Sequence, residues 1–379
     1  MDSDIHFMHR ALELARRGEG RVEPNPMVGC VLVRDGRIVG EGFHDKYGGP
    51  HAEVEAIRSA SERGGEGARG ADCYVTLEPC SHHGKTPPCT SAVLAAGIRR
   101  VVVAMRDPNP VVDGRGLTIL RDAGLEVREN VLETESRKLN APYLTLLEKR
   151  RPWVIAKWAM TLDGRTASRT GSSRWISGEK SRETVHRLRA RMDGILVGAG
   201  TVEKDDPTLT ARLPNGETPL RTPLRIVLDD RLTISRESRL VRTARETPVL
   251  IVTDSHADRK KMETLQNLGC EVLPVHSDSN DNPIRHREQI DVLLKNLGEN
   301  RMTNLLVEGG SGVFGRFFDL QLIDEIHVFV APKLIGGGDA VPCVGGLGLP
   351  EMESPCMLND VRIETLDGDI YVMGRTRFP

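Results

Sequence analysis

Two short segments, residues 50–53 (PHAE) and 76–89 (TLEPCSHHGKTPPC), carry the pattern that decides the first half of this chain. The first segment opens a predicted helix, and the second begins at a predicted strand and has a proline before each cysteine. One imidazole, His51, and two thiolates, Cys80 and Cys89, make a three-ligand zinc site whose fourth position stays open for water. Glu53 can share that site without ligating and would move a proton from the water to a leaving amine. The pattern predicts zinc-dependent hydrolytic deamination.

Each part of this pattern has a simpler explanation when it is taken alone. A single His-x-Glu is usually a solvated helix turn, and two separated cysteines are often buried thiols. Their joint occurrence favours the metal site. Cys30 and Cys73, in contrast, lie in apolar strands, and we expect them to be small core residues.

The length and composition of the chain limit the number of domains it can form and the kinds of partner it can bind. It has 379 residues, with Lys+Arg 52 and Asp+Glu 54, which predicts two domains and gives no sign of a nucleic-acid or membrane partner bound through bulk charge. No apolar run reaches membrane-spanning length, and the first residues lack the apolar stretch of a signal peptide. We therefore expect a cytoplasmic protein. Its seven cysteines are an odd number and thinly spread, which disfavours a disulfide framework.

Helix and strand patterns alternate along the first half, which predicts an α/β sandwich. Asp35-Gly36 is typical of a hairpin turn. Helices are expected at 4–17, 51–64, 90–96, 117–123 and 132–147, and strands at 28–33, 38–42, 72–77, 101–105 and 125–128. The basic stretch 148–152 (EKRRP) breaks the pattern. We place the domain boundary there, with a deaminase domain over 1–147 and a second domain over 148–379.

The second half is predicted to be another α/β domain. Strands are expected at 153–159, 194–197, 224–228, 249–252, 271–273, 304–307 and 326–330, and helices at 180–190, 258–268, 289–297 and 313–318. It lacks a GxGxxG motif after a strand, the common dinucleotide-binding fingerprint. Residues 307–312 (VEGGSG) lie between a strand and a helix, where small residues let a phosphate approach backbone N–H groups. Glycines at such junctions are also common in plain turns.

The first half resembles the pyrimidine deaminase of the riboflavin pathway. The resemblance rests on residues 51–53 and 76–89 together with 24–29 (PNPMVG) and 107–116 (DPNPVVDGRG). The general cytidine-deaminase family usually has two residues between its cysteines, whereas this chain has eight, with two histidines and a lysine among them. Such donors suit a phosphorylated ribose on the substrate. The resemblance implies that the following residues contact substrate: Asn25, His44, His82 and Lys85. We expect His83 to face solvent.

The second half is similar to the reductase domain of the bifunctional riboflavin-pathway family, whose fold is like that of dihydrofolate reductase. The segments that carry this similarity are 157–167 (KWAMTLDGRTA), 173–177 (SRWIS), 198–212 (GAGTVEKDDPTLTAR), 225–229 (RIVLD) and 331–337 (APKLIGG). Residues 231–300 fall outside it. The resemblance implies a cytidine-deaminase-like α/β/α sandwich followed by a dihydrofolate-reductase-like α/β domain.

The same resemblance implies NADPH as the cofactor of the second domain. The residues implied to contact it are Ala159, Trp175, Thr201, Asp205, Gly310, Ser311, Gly312, Val313, Phe314, Gly315 and Arg316. The residues implied to contact substrate are Ser173, Arg189, Leu209, Arg212 and Glu308, and the two arginines suit its phosphate.

Three residues are candidates for acid–base or orienting roles: Lys157, Asp205 and Glu308. Lys157 could equally be an exposed strand lysine, and Trp175 a core aromatic. Asp230 stands where the family often has a serine that contacts the cofactor. A carboxylate would repel a cofactor phosphate, so that contact is not carried over.

The predicted function is therefore bifunctional. The first domain would deaminate diaminohydroxyphosphoribosylaminopyrimidine, and the second would reduce its ribosyl group with NADPH. A base deaminase with an appended nucleic-acid-binding domain remains an alternative, which predicts a basic surface and a short cysteine spacing. A zinc-stabilised binding module without turnover is another, which predicts a fourth protein ligand such as His82. We also expect a homo-oligomer, because families with this fold often assemble through the reductase-like domain.

Overall fold

The computed structural model of the chain describes residues 3–64, 66–82, 87–219, 221–276 and 282–378. The chain folds as two units, Met1–Arg150 and Arg151–Pro379. The division falls inside the basic stretch 148–152, because the last helix of the first unit continues to Lys149.

The first unit is built on a five-stranded sheet with the order β2-β1-β3-β4-β5. Strand β1 is antiparallel to β2 and β3, and β3, β4 and β5 are parallel. The elements in chain order are α1 (Ser3–Ala15), a 3-10 turn (Arg16–Gly18), β1 (Gly29–Arg34), β2 (Arg37–Phe43), α2 (Ala52–Glu62), β3 (Asp72–Val75), α3 (Cys89–Ala95), β4 (Arg100–Val103), α4 (Arg115–Asp122), β5 (Glu126–Arg128), α5 (Glu133–Leu139) and α6 (Ala141–Lys149).

The two faces of this sheet bury different side chains, because successive residues of a strand point to opposite sides. One face packs Cys30 and Cys73 with apolar residues of α2, α3 and α4. The other face packs Val31 and Tyr74 with residues of α1. The predicted α/β/α sandwich is therefore confirmed. Cys30 and Cys73 are fully buried free thiols within it, as the sequence predicted.

The helix expected over 132–147 is divided at Asn140 into α5 and α6. The Asn140 side chain is buried and bonds to the backbone of Met27 in both directions. Its Oδ1 accepts from the Met27 N–H at 2.8 Å, and its Nδ2 donates to the Met27 carbonyl at 3.1 Å. This contact joins residues far apart in sequence, so helical periodicity could not show it.

The second unit is built on a nine-stranded sheet with the order β11-β10-β9-β8-β12-β6-β13-β16-β15. The strands from β11 to β13 are parallel, and β16 and β15 add an antiparallel end. The elements are β6 (Trp153–Thr161), β7 (Arg165–Ala167), α7 (Glu179–Arg189), β8 (Gly194–Gly198), α8 (Ala199–Asp205), a 3-10 turn (Pro214–Gly216), β9 (Leu224–Leu228), α9 (Arg239–Arg242), β10 (Val249–Asp254), α10 (Arg259–Asn267), β11 (Glu271–Val275), α11 (Asn282–Glu299), β12 (Asn304–Gly309), α12 (Ser311–Asp319), β13 (Glu325–Ala331), β14 (Val341–Pro342), β15 (Met357–Leu366) and β16 (Asp369–Arg377).

Most elements of this unit lie where the sequence placed them, but the hairpin of β15 and β16 was missed. Strand β15 exposes nearly all of its residues, so it lacks the alternating apolar pattern of a half-buried strand. Residues 231–300, which carried no resemblance, include β10, α10, β11 and α11 at the parallel end of the sheet. No helix among the described residues is both long and apolar enough to cross a membrane.

Candidate active sites

Three separate elements bring the predicted metal ligands of the first unit together. His51 is the residue before α2, Cys80 lies in the loop after β3, and Cys89 begins α3. The Nδ1 atom of His51 lies 3.2 Å from Sγ of Cys89 and 3.6 Å from Sγ of Cys80. Ligands of a tetrahedral zinc ion, bound at about 2.0–2.3 Å, lie about 3.6 Å apart. The three atoms therefore fit one ion, and no other such group is found in the part of the chain described.

The two thiols differ in their surroundings. Sγ of Cys80 accepts the backbone N–H of Cys89 at 3.3 Å. The hydrogen bond from the Cys89 thiol lowers the pKa of Cys80, and the same contact raises the pKa of Cys89. Because thiolates are the form that binds zinc, the fold favours the ligating state of Cys80.

Glu53 lies in the first turn of α2, beside the ligand cluster, and is 3% exposed. Burial raises the pKa of Glu53 to about 7. Its carboxyl group interacts with the Cys89 thiol and the His51 ring. The structure thus brings together the four residues that the sequence singled out.

Asn25 and His44 form a hydrogen-bonded pair next to this cluster. Nδ1 of His44 lies 2.9 Å from the carbonyl of Pro50 and must donate to it. Nε2 of His44 is therefore the acceptor for the Asn25 amide at 3.2 Å. The His44 ring meets the His51 ring edge-on, with centroids 5.3 Å apart. Two of the residues implied to contact substrate thus lie beside a metal ligand.

The loop between the two cysteines is described in part. His82 is exposed and is not a member of the ligand cluster found among the described residues. Lys85 and His83 lie outside the described residues. The alternative of a zinc-stabilised binding module requires four protein ligands that close the metal site. His82 is not placed as the fourth ligand, so it does not support this alternative.

Sequence reasoning missed Glu78, which organises the loop 107–116. The buried Glu78 carboxylate accepts the backbone N–H groups of Asp107 (3.3 Å), Gly114 (2.9 Å) and Gly116 (2.9 Å). A Cβ on Gly116 would lie 2.1 Å from the carbonyl of Pro79, so this position accepts only glycine. The loop is therefore held against the segment that carries Cys80. In the sequence, the sign of this role was the position of Glu78, an acidic residue two positions before Cys80.

The second unit contains a cavity of about 1010 Å³ lined by residues near the carboxyl ends of β8, β9 and β12. Open parallel sheets commonly bind ligands at such ends. Of the residues predicted for this unit, those that line the cavity are Lys157, Ala159, Ser173, Trp175, Arg189, Thr201, Asp205, Leu209, Arg212, Glu308, Gly310, Ser311, Gly312, Val313, Phe314 and Arg316. Gly315 is placed differently, because a Cβ there would lie 2.4 Å from the backbone of Gly345.

Glu308 lines this cavity and contacts two cationic side chains, Arg189 and Lys157. Its carboxylate accepts two hydrogen bonds from Arg189, at 2.5 and 2.7 Å, and lies 3.8 Å from Nζ of Lys157. Burial opposes the charge of Glu308, but Arg189 and Lys157 outweigh it and lower its pKa to about 2. Burial also lowers the pKa of Lys157. Lys157 is therefore a buried, paired residue rather than an exposed strand lysine.

Residues 310–316 are not a loop but the N-cap and first turns of α12, where the first backbone N–H groups of the helix point outward and suit a phosphate. The N–H of Gly310 donates to Oγ1 of Thr201 at 3.0 Å. Trp175 is 67% exposed and stacks against the guanidinium of Arg182, so it is not a core aromatic. These features fit a dinucleotide at this face of the cavity.

Two acidic residues of the cavity contact arginines. The backbone carbonyl of Asp205 accepts from Arg174 at 2.7 Å, and its carboxylate lies 4.0 Å from the same side chain. The Asp230 carboxylate lies 3.2 Å from the guanidinium of Arg316 in α12. Asp230 thus binds an arginine of this helix, which the sequence did not indicate.

This fold and these sites define a class of protein, a zinc-binding deaminase joined to a reductase. The sequence model described as the cytidine and deoxycytidylate deaminase zinc-binding region matches residues 1–105, and that of the RibD C-terminal domain matches residues 152–372. The chain is 42% identical over 96% of its length to riboflavin biosynthesis protein RibD of Bacillus amyloliquefaciens, covering 94% of that protein. The RibD protein of Aquifex aeolicus is 41% identical, with 97% of each chain covered.

Solved structures give the same result. The deaminase/reductase of Thermotoga maritima is 40% identical, with a TM-score of 0.81 and 99% of each chain covered. Acinetobacter baumannii RibD is 36% identical, with a TM-score of 0.84 over 99% of each chain. The chain belongs to the RibD family of riboflavin biosynthesis proteins. The predictions of a bifunctional deaminase and reductase, of its fold class, and of zinc and NADPH as cofactors are confirmed.

Proposed function

We propose that residues 1–147 remove an exocyclic amine from diaminohydroxyphosphoribosylaminopyrimidine. Residues 148–379 then reduce the ribosyl group of the product to a ribityl group. The observation that carries the first step is the convergence of one imidazole, two thiols and the buried Glu53 in one place. The similarity to a deaminase/reductase over the whole chain supports the order and the substrate.

In the first step the zinc ion, when bound to His51, Cys80 and Cys89, supplies an activated water near neutral pH. As the water oxygen bonds to the ring carbon that carries the amine, Glu53 takes a proton from the water and delivers it to the amine nitrogen. The bond between that carbon and the nitrogen then breaks, and ammonia leaves. The burial of Glu53 beside the ligands keeps its carboxyl within reach of both groups.

Substrate binding in this domain is assigned to four residues. The amide–imidazole pair of Asn25 and His44 lies beside His51 and orients the pyrimidine. His82 and Lys85, on the long loop between the cysteines, supply cationic donors for the phosphate.

Glu53→Gln tests the first step. Glutamine has the same shape but cannot carry the proton, so we expect the rate of ammonia release to fall by about 10²–10⁴-fold. Zinc content should stay at one ion per chain, because the three ligands remain. The matched control is Glu62→Gln, an exposed position on the same helix, which should keep wild-type activity. Full ammonia release by Glu53→Gln would disprove the role.

NADPH, when bound, would supply the hydride for C1′ of the ribosyl group. As the bond from C1′ to the ring oxygen breaks, Lys157 donates a proton to that oxygen. Glu308 holds the ammonium in place, and Arg189 holds Glu308. Asp205 and residues 310–316 position the cofactor.

Five further residues of the reductase cavity are assigned to NADPH or to substrate. Ala159, Trp175 and Thr201 line the cavity, and Thr201 accepts a hydrogen bond from the Gly310 N–H at its edge, so we assign all three to NADPH. Ser173 and Leu209 line the same cavity and contact substrate.

Oxidation of NADPH in the presence of the deaminated substrate tests the second step. Lys157→Met removes the proton donor, and we expect the turnover rate to fall by about 10²–10⁴-fold. Lys180→Met, which changes an exposed lysine on α7, is the control and should oxidise NADPH at the wild-type rate. If the wild-type protein oxidises no NADPH with this substrate, the reductase assignment is wrong.

We also propose that the chain forms a homo-oligomer through the reductase unit. Strand β15 ends the nine-stranded sheet and exposes apolar side chains, with Met357 at 57%, Val361 at 47% and Ile363 at 69%. An exposed apolar edge strand favours pairing with another chain. Ile363→Glu should therefore reduce the mass measured by sedimentation equilibrium to that of one chain, whereas an unchanged mass would contradict this interface.

The proposed setting is the cytoplasm, with small molecules and not nucleic acid or membrane as partners. The seven cysteines are free thiols, and a reducing compartment keeps the zinc ligands in that form. The near balance of 52 basic and 54 acidic residues supports a small-molecule partner.

A further inference from the structure

The imidazole of His186 lines the reductase cavity, yet the reaction proposed above gives it no task. We propose that His186 is a substrate-binding residue, which donates a hydrogen bond from Nε2 to the phosphate group that Arg212 also binds. This inference rests on the proposed reductase function, and it adds one residue to the phosphate-binding part of the cavity.

Helix α7 sets the position of His186. It lies three residues before Arg189, so both side chains project from the same face of the helix. Arg189 donates a hydrogen bond to Glu308, and His186, one helical turn earlier, contacts Arg212. The ring is half-buried, and the Arg212 side chain is exposed.

The contact with the Arg212 backbone favours the tautomer of His186 that carries its hydrogen on Nε2. The backbone N–H of Arg212 donates to Nδ1 of His186 at 3.2 Å. A neutral imidazole has one acceptor and one donor nitrogen, so Nε2 carries the hydrogen. His186 is neutral because burial, followed by the charges of Arg189 and Arg212, lowers its pKa to about 4. The Glu308 carboxylate and the Thr210 carbonyl oppose this effect without reversing it.

Two donors therefore converge on one point. Nε2 of His186 lies 3.5 Å from Nη2 of Arg212, and both atoms carry hydrogen. Two N–H groups cannot satisfy each other, whereas an oxygen atom of a ligand bound between them would accept from both. An anionic oxygen is favoured because one donor is a guanidinium.

Arg189 is less suited to this oxygen than the sequence suggested. Its Nε and Nη2 both donate to Glu308, and its Nη1 donates to the carbonyl of Thr210 at 3.3 Å. Its charge is balanced by the Glu308 carboxylate. Among the described residues, Arg212 forms no ion pair with a carboxylate, and its hydrogen bonds are those with His186. The phosphate is thus assigned to Arg212 and His186, with Arg189 holding Glu308.

His186→Leu and His186→Gln test the proposal on the full zinc-loaded chain. Leucine removes both hydrogen bonds, whereas glutamine can accept from the Arg212 N–H and donate to the phosphate. The ligand is ribose 5-phosphate, with ribose as the matched ligand without phosphate, and binding is measured by calorimetry. Arg187→Leu, which removes an exposed cation from the same helix, is the control.

We expect His186→Leu to weaken ribose 5-phosphate binding by about 10–100-fold, and His186→Gln to recover most of the affinity. Ribose and NADPH should bind all variants equally. In turnover, His186→Leu should raise the KM of the deaminated substrate with little change in kcat. Arg187→Leu should match the wild type in every measurement.

Three results would overturn the proposal. One is wild-type affinity of His186→Leu for ribose 5-phosphate, another is equal loss of ribose 5-phosphate and NADPH binding, and the third is no binding of ribose 5-phosphate by the wild type. One further result would distinguish the reductase function from the phosphate-binding role of His186. If the wild type binds ribose 5-phosphate through His186 but does not reduce the deaminated substrate, the reductase function fails and the phosphate site stands.

Discussion

Each candidate site contains one residue whose negative charge is stabilised by neighbouring groups. Glu308 stays ionised in a buried position because Arg189 and Lys157 surround it. Cys80 becomes a thiolate readily because a thiol and a backbone N–H donate to it. In both cases the fold prepares a group for its task before substrate arrives, which lowers the cost of reorganisation during the reaction.

Cys89→Ala tests the metal site at the scale of one residue. Loss of one of the three protein ligands should reduce bound zinc from one ion per chain to well below one and abolish ammonia release. NADPH oxidation with the deaminated substrate should continue, because the reductase cavity lies in the other unit. Metal analysis after dialysis gives the result, with the buried Cys73→Ala as the control that should retain zinc. Stoichiometric zinc in Cys89→Ala would refute the ligand assignment.

Short sequence spacings made some site residues predictable and not others. His51 and Glu53 are separated by one residue, and the two cysteines share one loop, so their chemistry is visible in the sequence. His186 and Glu78 act through contacts with residues distant in the chain, which only tertiary structure creates. The departure of Gly315 from the cavity has the same origin, because Gly345 of another loop packs against it.

At the scale of elements, Asp4 joins α1 to the sheet. Its carboxylate accepts from Arg100 at 2.8 and 2.9 Å and from the Tyr74 hydroxyl at 2.8 Å. Burial opposes this charge, but the hydrogen bonds of Arg100, Tyr74 and Arg128 outweigh it and lower the pKa of Asp4 from 3.8 to about 2. The charge therefore stabilises the fold above pH 4, and this contribution is lost as the pH falls through 2.

Asp4→Asn should destabilise the zinc-loaded protein by about 2 kcal/mol at neutral pH. The difference from wild type should shrink as the pH falls from 4 through 2, because Asp4 then takes up a proton and becomes neutral like asparagine. Denaturant unfolding of the first unit at a series of pH values measures this, with the exposed Asp122→Asn as the control. A difference that does not depend on pH would show that the Asp4 charge is not the cause.

Glu78→Gln tests how the loop 107–116 is held. Glutamine replaces one of the two accepting oxygens of Glu78 with an NH2 group, which cannot accept a hydrogen bond, so at least one backbone N–H of the loop loses its partner. Leaving a buried donor unpaired costs about 1–3 kcal/mol of unfolding free energy. Zinc content should be retained, and the exposed Glu126→Gln should unfold like the wild type. Wild-type stability of Glu78→Gln would mean that the three hydrogen bonds do not organise this loop.

The elements themselves were largely predictable, because most are amphipathic or bury one clear apolar face. The exceptions have local causes. Asn140 ends α5 through a contact with Met27, which interrupts an otherwise continuous helical pattern. The hairpin of β15 and β16 turns at Asp367 and Gly368, whose φ values are 50° and 94°. An Asp-Gly pair is a strong hairpin signal, so this element could have been found from its turn.

On the scale of the whole molecule, two units each have a sheet, a hydrophobic core and a candidate site. The sequence indicated this division through the basic stretch 148–152 and through two independent sets of motifs. It could not show how the parallel strands of the second unit are ordered, because β6 pairs with β12 and β13 across more than a hundred residues.

The central claim is that one chain performs both steps on the same molecule, deamination first. The most direct measurement follows ammonia and NADPH together, with the diamino substrate given to wild type and to Glu53→Gln. We predict one ammonia released for each NADPH oxidised by wild type. With Glu53→Gln we predict neither ammonia release nor NADPH oxidation from the diamino substrate, and NADPH oxidation alone once the deaminated substrate is added. Oxidation of NADPH by Glu53→Gln with the diamino substrate, or none with the deaminated substrate, would contradict the account.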